Sequence, residues 1–293
     1  MQLCLNQVSK SYEGKKWGLL DVNLEIDSMR IGIVGPFGSG KTTLAQIIST
    51  ITRPTKGTIT FNGTDLTKDT VEFRSVLGYV PQYFGMYSTL TAQEYLEYIA
   101  ALKGKNRLLD KNRIDSVLET TKLTSLKDTI TGSLSGLSRQ RFSIAQMLLT
   151  DPKILVVDEL SDDLNPEERK EILNLLAEQS RGKTLILTSE YASDFDGLVD
   201  ELYVMLAGRI VHRSSPAEFI RSVNINVWEL TVPNSQLHGI QRRFFILKSE
   251  HRRDGVHLRC VAETKPQEGA VQAITNLDDA YQYFLSQSKG GIQ

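Results

Sequence analysis

The sequence predicts an α/β protein built on a largely parallel sheet, followed by a small α+β unit. Three observations carry this. The apolar runs "RIGIVG" (30–35), "KILVVDEL" (153–160) and "TLILTS" (184–189) read as buried strands. Helical patterns separate them, as parallel strands require. After about residue 224 the texture changes to short alternating stretches. The chain has 293 residues, 40% apolar and 24% charged, enough for one large and one small packed domain.

In chain order, residues 3–8 and 22–26 alternate like short strands. "RIGIVG" runs into a glycine loop, and "KTTLAQIISTI" then carries helical spacing. "GTITFNGTDL" (57–66) is a strand ending in an Asn-Gly turn. Thr91 with Glu94 is a capping box opening the helix "YLEYIAAL", and 108–148 is mostly helical pattern. Asn165-Pro166-Glu167-Glu168 starts another helix. "LYVMLAGRIVH" (202–212) is a hairpin turned at Ala207-Gly208, and Ser215-Pro216-Ala217-Glu218 opens a further capped helix. "NVWELTVP", "RRFFILKSE" and "GVHLRCVAE" read as strands and "LDDAYQYFLSQS" as a helix, giving an appendix over 225–293.

The first chemical signal is Gly35-Pro36-Phe37-Gly38-Ser39-Gly40-Lys41-Thr42, which matches G-x-x-x-x-G-K-[ST] between a strand and a helix. Such a loop points backbone N–H groups at phosphate oxygens, and the helix N-terminus adds positive potential. Lys41 supplies a full charge, and the Thr42 hydroxyl can ligate Mg²⁺. The second signal is Asp158-Glu159 at the end of "ILVV". One acid there holds hydrated Mg²⁺ and the other orients or deprotonates the attacking water.

A formal net charge of -1 gives no electrostatic case for a nucleic-acid partner. The two cysteines, Cys4 and Cys260, lack metal-like spacing and read as small core residues of a reduced, cytoplasmic protein. No apolar run approaches the roughly 18 residues of a membrane span. The start "MQLCLNQVSKSYEG" lacks the apolar stretch of a signal peptide. Any membrane role is therefore expected through docking on a separate membrane protein.

With four more motifs in order, the chain resembles the ATP-binding subunits of ABC transporters from residue 1 to about 222. Tyr12 stands where that family stacks an aromatic on adenine, although strands favour such residues anyway. Gln82 in "GYVPQ" matches the glutamine that reaches Mg²⁺ and senses the terminal phosphate. "LSGLSRQR" (134–141) matches the signature, with Ser135 and Gly136 its serine and first glycine, and "DDLNP" (162–166) the D-loop. The resemblance implies a P-loop NTPase of ABC type, with a mixed sheet core and a helical subdomain at about 83–148. It implies ATP and Mg²⁺ as ligands. Phosphates would be held by Gly35 to Thr43, the metal by Thr42, Gln82 and Asp158, with Glu159 as base. Ser135 and Gly136 would act in trans on a second ATP-binding subunit. It further implies a membrane-spanning permease partner and a place on the inner face of the cell membrane. "GYVPQYFGMYSTLTAQEYLEYIAALKG" (78–104) and "NLDDAYQYFL" (276–285) look like the bacitracin-resistance type of bacterial exporter. Tyr83, Phe84, Met86 and Tyr87 are candidates either for core packing or for receiving a helix of the permease. Because every motif lies upstream, residues 1–222 are expected to bind ATP without the appendix.

Four departures stand out. Leu137 and Ser138 replace the second glycine and the glutamine of the signature, Leu160 replaces a proline, and Asn165 replaces the D-loop acid. Most consequentially, Glu190 occupies the slot of a histidine that touches the terminal phosphate. All four histidines lie at 212 or later, so no small shift restores one. Glu190 is thus expected to make this chain's own site slow. The chain would be the weaker half of an asymmetric pair, with a heterodimer favoured over a homodimer.

Overall fold

A computed structural model describes residues 1–12, 16–27, 30–103 and 111–289. The chain divides into two compact units. One comprises Met1–Glu190 with Gly197–Arg213, the other Tyr191–Asp196 with the chain from Ser214 onward.

The first unit opens with β1 (Leu3–Tyr12), β2 (Lys16–Ile26), β3 (Arg30–Val34), α1 (Lys41–Ile48), β4 (Lys56–Phe61) and β5 (Thr64–Asp65). Then come α2 (Val71–Val76), β6 (Leu77–Val80), α3 (Ala92–Leu102), α4 (Lys111–Thr120) and α5 (Gly136–Leu148). It closes with β7 (Ile154–Asp158), α6 (Pro166–Gln179), β8 (Thr184–Ser189), β9 (Glu201–Leu206) and β10 (Arg209–Ser214), whose last residue begins the second unit. An antiparallel sheet has the order β2-β1-β4-β5, and a larger one the order β10-β9-β3-β8-β7-β6. In the larger sheet β9, β3, β8, β7 and β6 run parallel. Leu44, Ala45, Ile47 and Ile48 of α1 are buried among side chains of both sheets, in one cluster with Leu24, Ile33, Phe61 and Ile186.

Local chemistry explains the boundaries. Thr91 with Glu94 and Asn165 with Glu168 form complete capping boxes, and Pro166 opens α6 where its missing N–H costs nothing. Asn62-Gly63 and Ala207-Gly208 turn their hairpins with positive φ. In the helical region Tyr95 of α3 packs edge-on against Phe142 of α5 and also meets Phe84 and Tyr87. Phe84 and Tyr87 both touch this cluster, but Tyr87 stays 57% exposed and Tyr83 86% exposed. The part of the predicted helical stretch at 104–110 lies outside the described residues.

The second unit contains α7 (Pro216–Val223), β11 (Val227–Val232), α8 (Asn234–Arg243), β12 (Phe245–Arg252), β13 (Gly255–Val261), β14 (Val271–Ala273) and α9 (Leu277–Lys289). Its antiparallel sheet has the order β12-β13-β11-β14, and Leu237 and Ile240 of α8 join its apolar core. Sequence reading overlooked α8, because "NSQLHGIQRR" offers only two apolar residues and no polar cap.

The division also differs from the expected boundary at 222–225. Phe219 of α7 is fully buried and its ring lies 5.5 Å from that of Phe284 in α9. The turn Ala192–Phe195 belongs with the same helix, and the Ser193 N–H donates to Asp278 Oδ1 at 2.9 Å. A chain ending at residue 222 keeps every motif but strips these segments of α9. We predict that it melts well below the full chain, with a loss of at least ~3 kcal/mol for uncovering one such phenylalanine. Calorimetry checks this, and an unchanged transition would show that α7 and 192–195 hold without α9.

Candidate functional site

The parallel register sets the site before any side chain is considered. Val34 lies opposite Ser189, Asp158 opposite Thr188, and Val80 opposite Val157. The glycine loop, Glu190, Asp158-Glu159 and Gln82 therefore all leave the same end of four neighbouring strands. In open α/β sheets the crevice at the carboxyl ends is where ligands bind.

The loop from Gly35 to Gly40 is seated on backbone. Ser39 O accepts from the Gly208 N–H at 2.8 Å, and Gly208 O accepts from the Leu20 N–H at 2.8 Å. Gly40 has φ 105, and a Cβ there would stand 2.4 Å from Gly18 O and 3.3 Å from Gly208 Cα. A Cβ on Gly18 would meet Thr43 Oγ1 and the Tyr12 ring at 2.9 Å. No side chain caps α1 at Gly40, so its first N–H groups face the loop's hollow. Ser39 Oγ is buried with no hydrogen-bond partner, and Phe37 stands 88% exposed at the tip. These features fit a bound phosphate chain.

Lys41 reaches back into this hollow and is only 3% exposed. Its ammonium donates to Gly35 O at 2.7 Å and Pro36 O at 3.2 Å. It lies 3.0 Å from Glu159 Oε1 and 3.9 Å from Glu190 Oε1. Glu159 in turn accepts from Gln82 Nε2 at 2.7 Å, and Gln82 Oε1 is 3.5 Å from Thr42 Oγ1. Five sequence-predicted residues thus form one connected group. Glu159 holds φ 60, a left-handed backbone uncommon for a side-chain-bearing residue.

Asp158 is fully buried beside it. It accepts from Thr188 Oγ1 at 2.9 Å and, more weakly, from the Tyr79 hydroxyl at 3.4 Å. Burial lifts its carboxyl to about 6, against the Thr188 bond that lowers it, and the Glu159 charge adds to the rise. Burial and the Asp158 charge push the Tyr79 phenol well above its usual range. Among the described residues no cluster of three or more His, Cys, Asp or Glu could hold a metal. One carboxylate and one hydroxyl still suit Mg²⁺, which keeps waters and takes phosphate oxygens as ligands.

The remaining predicted residues fall at two places. The Tyr12 hydroxyl is 3.3 Å from Thr43 Oγ1 and its ring is 42% exposed, at the first turn of α1. Ser135 caps α5, accepting from the Ser138 N–H at 3.4 Å, and Ser135 itself is exposed. Gly136 and Gln82 line one cavity of about 300 Å³ with Asp162 and Asp163. Neither Ser135 nor any P-loop residue lines that cavity, so Gly136 meets the Lys41 group only through Gln82 at its edge. Asn165 accepts from the N–H groups of Glu167 and Glu168, so loss of the acid there leaves the cap intact.

Thr188, Tyr79 and Gly18 escaped sequence reasoning. No local pattern marks them. Thr188 looks like one more β-former until the register sets it beside Asp158.

A glycine loop holding a buried lysine, with two acids at the end of a nearby parallel strand, defines a P-loop nucleotide-binding protein. Residues 19–162 match the family model described as "ABC transporter". That segment, just under half of the chain, is similar to the ATP-binding domains of ABC transporters. The chain is 29% identical over 231 residues to "Uncharacterized ABC transporter ATP-binding protein YxlF" of Bacillus subtilis (strain 168), covering 78% of this chain and 76% of that one. It is 31% identical over 224 residues to "Methionine import ATP-binding protein MetN" of Haemophilus influenzae (strain 86-028NP), covering 73% of this chain and 65% of that one. The chain thus spans just under two thirds of that relative's length. Among solved structures, the dimeric ATP-binding cassette MJ0796 in a post-hydrolysis state bound to ADP and Pi superposes with TM-score 0.65 at 25% identity, covering 73% of this chain and 98% of that one. No helix among the described residues is long and apolar enough to cross a membrane.

The raised Asp158 makes a stability prediction. In the fold its carboxyl holds a proton to about pH 6, where an unfolded aspartate releases it near 3.8. The ligand-free protein is therefore destabilised as pH rises through that window, by on the order of 3 kcal/mol once above it. Asp158→Asn should melt higher than wild type at pH 8 without nucleotide, and the difference should vanish below about pH 3.8. Thermal melts at stepped pH check it, and a pH-independent difference would refute the assignment.

Proposed function

We propose that this chain is the ATP-binding, ATP-hydrolysing subunit of a bacterial ABC transporter, with a slow site of its own. The observation that carries the reading is the connected group Lys41–Glu159–Gln82 at the strand ends. Before nucleotide enters, the buried ammonium is satisfied by Glu159. A triphosphate offers Lys41 stronger acceptors and releases Glu159 Oε1 to take a proton from the attacking water. Gly38 to Thr43 hold the phosphates, and Tyr12 presents its ring to the base. Thr42, Gln82 and Asp158 would hold Mg²⁺, which would supply neutralisation of phosphate charge. Ser135 and Gly136 serve a second ATP-binding subunit across a head-to-tail interface, and a heterodimer is favoured over a homodimer. The dimeric MJ0796 cassette bound to ADP and Pi supports dimerisation and hydrolysis for this kind of domain. A membrane-spanning permease, docked from the cytoplasmic side, is the second partner.

The direction of transport has two readings. The stretch 78–104 and the closing helix favour an exporter of the bacitracin-resistance type. The MetN relatives, named as methionine import proteins, favour an importer. We place the exporter first, because its resemblance extends to α9, beyond the family segment. The permease isolated with the full chain from membranes separates the two.

Glu190 sets the expected rate. Its carboxylate already faces the ammonium that receives the terminal phosphate. A carboxylate about 4 Å from a phosphate oxygen is repelled by roughly 4 kcal/mol per charge pair at an effective dielectric near 20, and partial exposure lowers this. Three variants of the full chain test the reading. Lys41→Ala should weaken Mg-ATP binding by about tenfold or more. Glu190→His should raise turnover in the assembled complex, with Glu190→Ala equal to wild type or slightly faster. Unchanged ATP affinity in Lys41→Ala overturns the nucleotide site. Abolished turnover in Glu190→Ala makes Glu190 itself catalytic and overturns the slow-site reading.

A further inference from the structure

One hydroxyl touches both acids of the site. Thr188 Oγ1 accepts from the backbone N–H of Glu159 at 3.0 Å and donates to Asp158 Oδ1 at 2.9 Å. Thr188 is fully buried, so water does not compete for either bond. A hydroxyl has one proton to give and lone pairs to receive, and the fold uses one of each.

We propose that Thr188 is the positioning residue that sets the metal acid and the base in register with each other. This role rests on the nucleotide-hydrolysing function proposed above and adds Thr188 to it. Its donation occupies Asp158 Oδ1 and fixes the carboxylate plane. Asp158 Oδ2 receives the long Tyr79 contact at 3.4 Å and is the oxygen that would meet a cation, beside the Thr42 hydroxyl that also bonds this carboxylate. Its acceptance holds the Glu159 N–H, at the residue where the backbone takes φ 60 immediately after the strand. A left-handed turn by a side-chain-bearing residue persists only where its surroundings over-determine it. The Thr188 bond is one such constraint, and it aims Glu159 back toward Lys41 rather than away from it. The parallel register makes Thr188 the residue opposite Asp158, and Glu190 follows two positions later on the same strand end. One strand terminus therefore carries both the tether of the acids and the residue facing the lysine. A partner fixed by buried hydrogen bonds behind a metal ligand commonly governs metal affinity as strongly as this geometry implies.

The test uses the full chain with Thr188→Val, which removes the hydroxyl and keeps the shape, Thr188→Ala, which removes it with less demand on packing, and Thr188→Ser, which restores it. Three quantities are read: ATP binding in excess EDTA, the Mn²⁺ half-saturation of the ATP-loaded protein by electron paramagnetic resonance, and turnover. We expect valine and alanine to raise the Mn²⁺ half-saturation and lower turnover by about tenfold or more each, with metal-free ATP affinity changed by less than about twofold. Serine should return both toward wild type, which a purely structural role for the methyl group would not do. An Mn²⁺ half-saturation unchanged in valine and alanine overturns the proposal, as does a serine variant impaired like valine. Should valine fail to fold, seen as loss of metal-free ATP binding, the alanine and serine pair decides. Wild-type protein that binds no Mn-ATP overturns the nucleotide reading itself, a different result from equal behaviour of wild type and Thr188→Val.

Discussion

A buried ammonium must be surrounded by acceptors, and that requirement at Lys41 organises the site. Removing such a charge from water costs several kcal/mol unless partners replace the solvent. The partners come from three directions. The carbonyls of Gly35 and Pro36 curl under the side chain, Glu159 reaches across from β7, and Glu190 stands further off at the end of β8. No one segment could supply them. The loop needs its glycines to turn its carbonyls inward, and the acids need three strands side by side in one register. The same set of acceptors is what a triphosphate must replace, so the geometry that stabilises the empty site also sets its preference for polyanions.

Much of this architecture is legible along the chain because it is local. Apolar runs mark the strands of the parallel sheet. Thr91, Asn165 and Ser215 announce helices through caps that need only three or four residues to complete. Asn62-Gly63 and Ala207-Gly208 turn because those residues tolerate positive φ. Lys41, Thr42, Gln82, Asp158 and Glu159 could be named because each belongs to a short motif. What local reading cannot supply is the pairing of positions far apart. Thr188 acquires its role from a neighbour thirty residues away in sequence. The edge of the second unit depends on Phe219 meeting Phe284, a fact of packing that no composition shift near residue 224 records.

Glu190 shows the same division. That no histidine precedes residue 212 is visible by counting residues, the resemblance implies that Glu190 takes a histidine's place, and its sign predicts repulsion of phosphate. Its actual neighbour, the Lys41 ammonium, depends on the order of β3 and β8 in the sheet. The carboxylate is therefore not a bare defect in the ligand-free protein. It joins Glu159 around a cation that would otherwise face one acidic side chain, and its effect on phosphate is expected only when a nucleotide competes for the same lysine.

The seat of the glycine loop has a consequence at the level of the gene. Gly18, Gly40 and Gly208 meet beneath the loop, where a Cβ on any one would press on backbone or on Tyr12 and Thr43. Glycine is encoded by a single codon family, and each one-base missense change out of that family introduces a residue that carries a Cβ. Three codons far apart along the sequence are thus bound to one spot in space, and none can undergo a one-base missense change without displacing the floor on which the phosphates would rest.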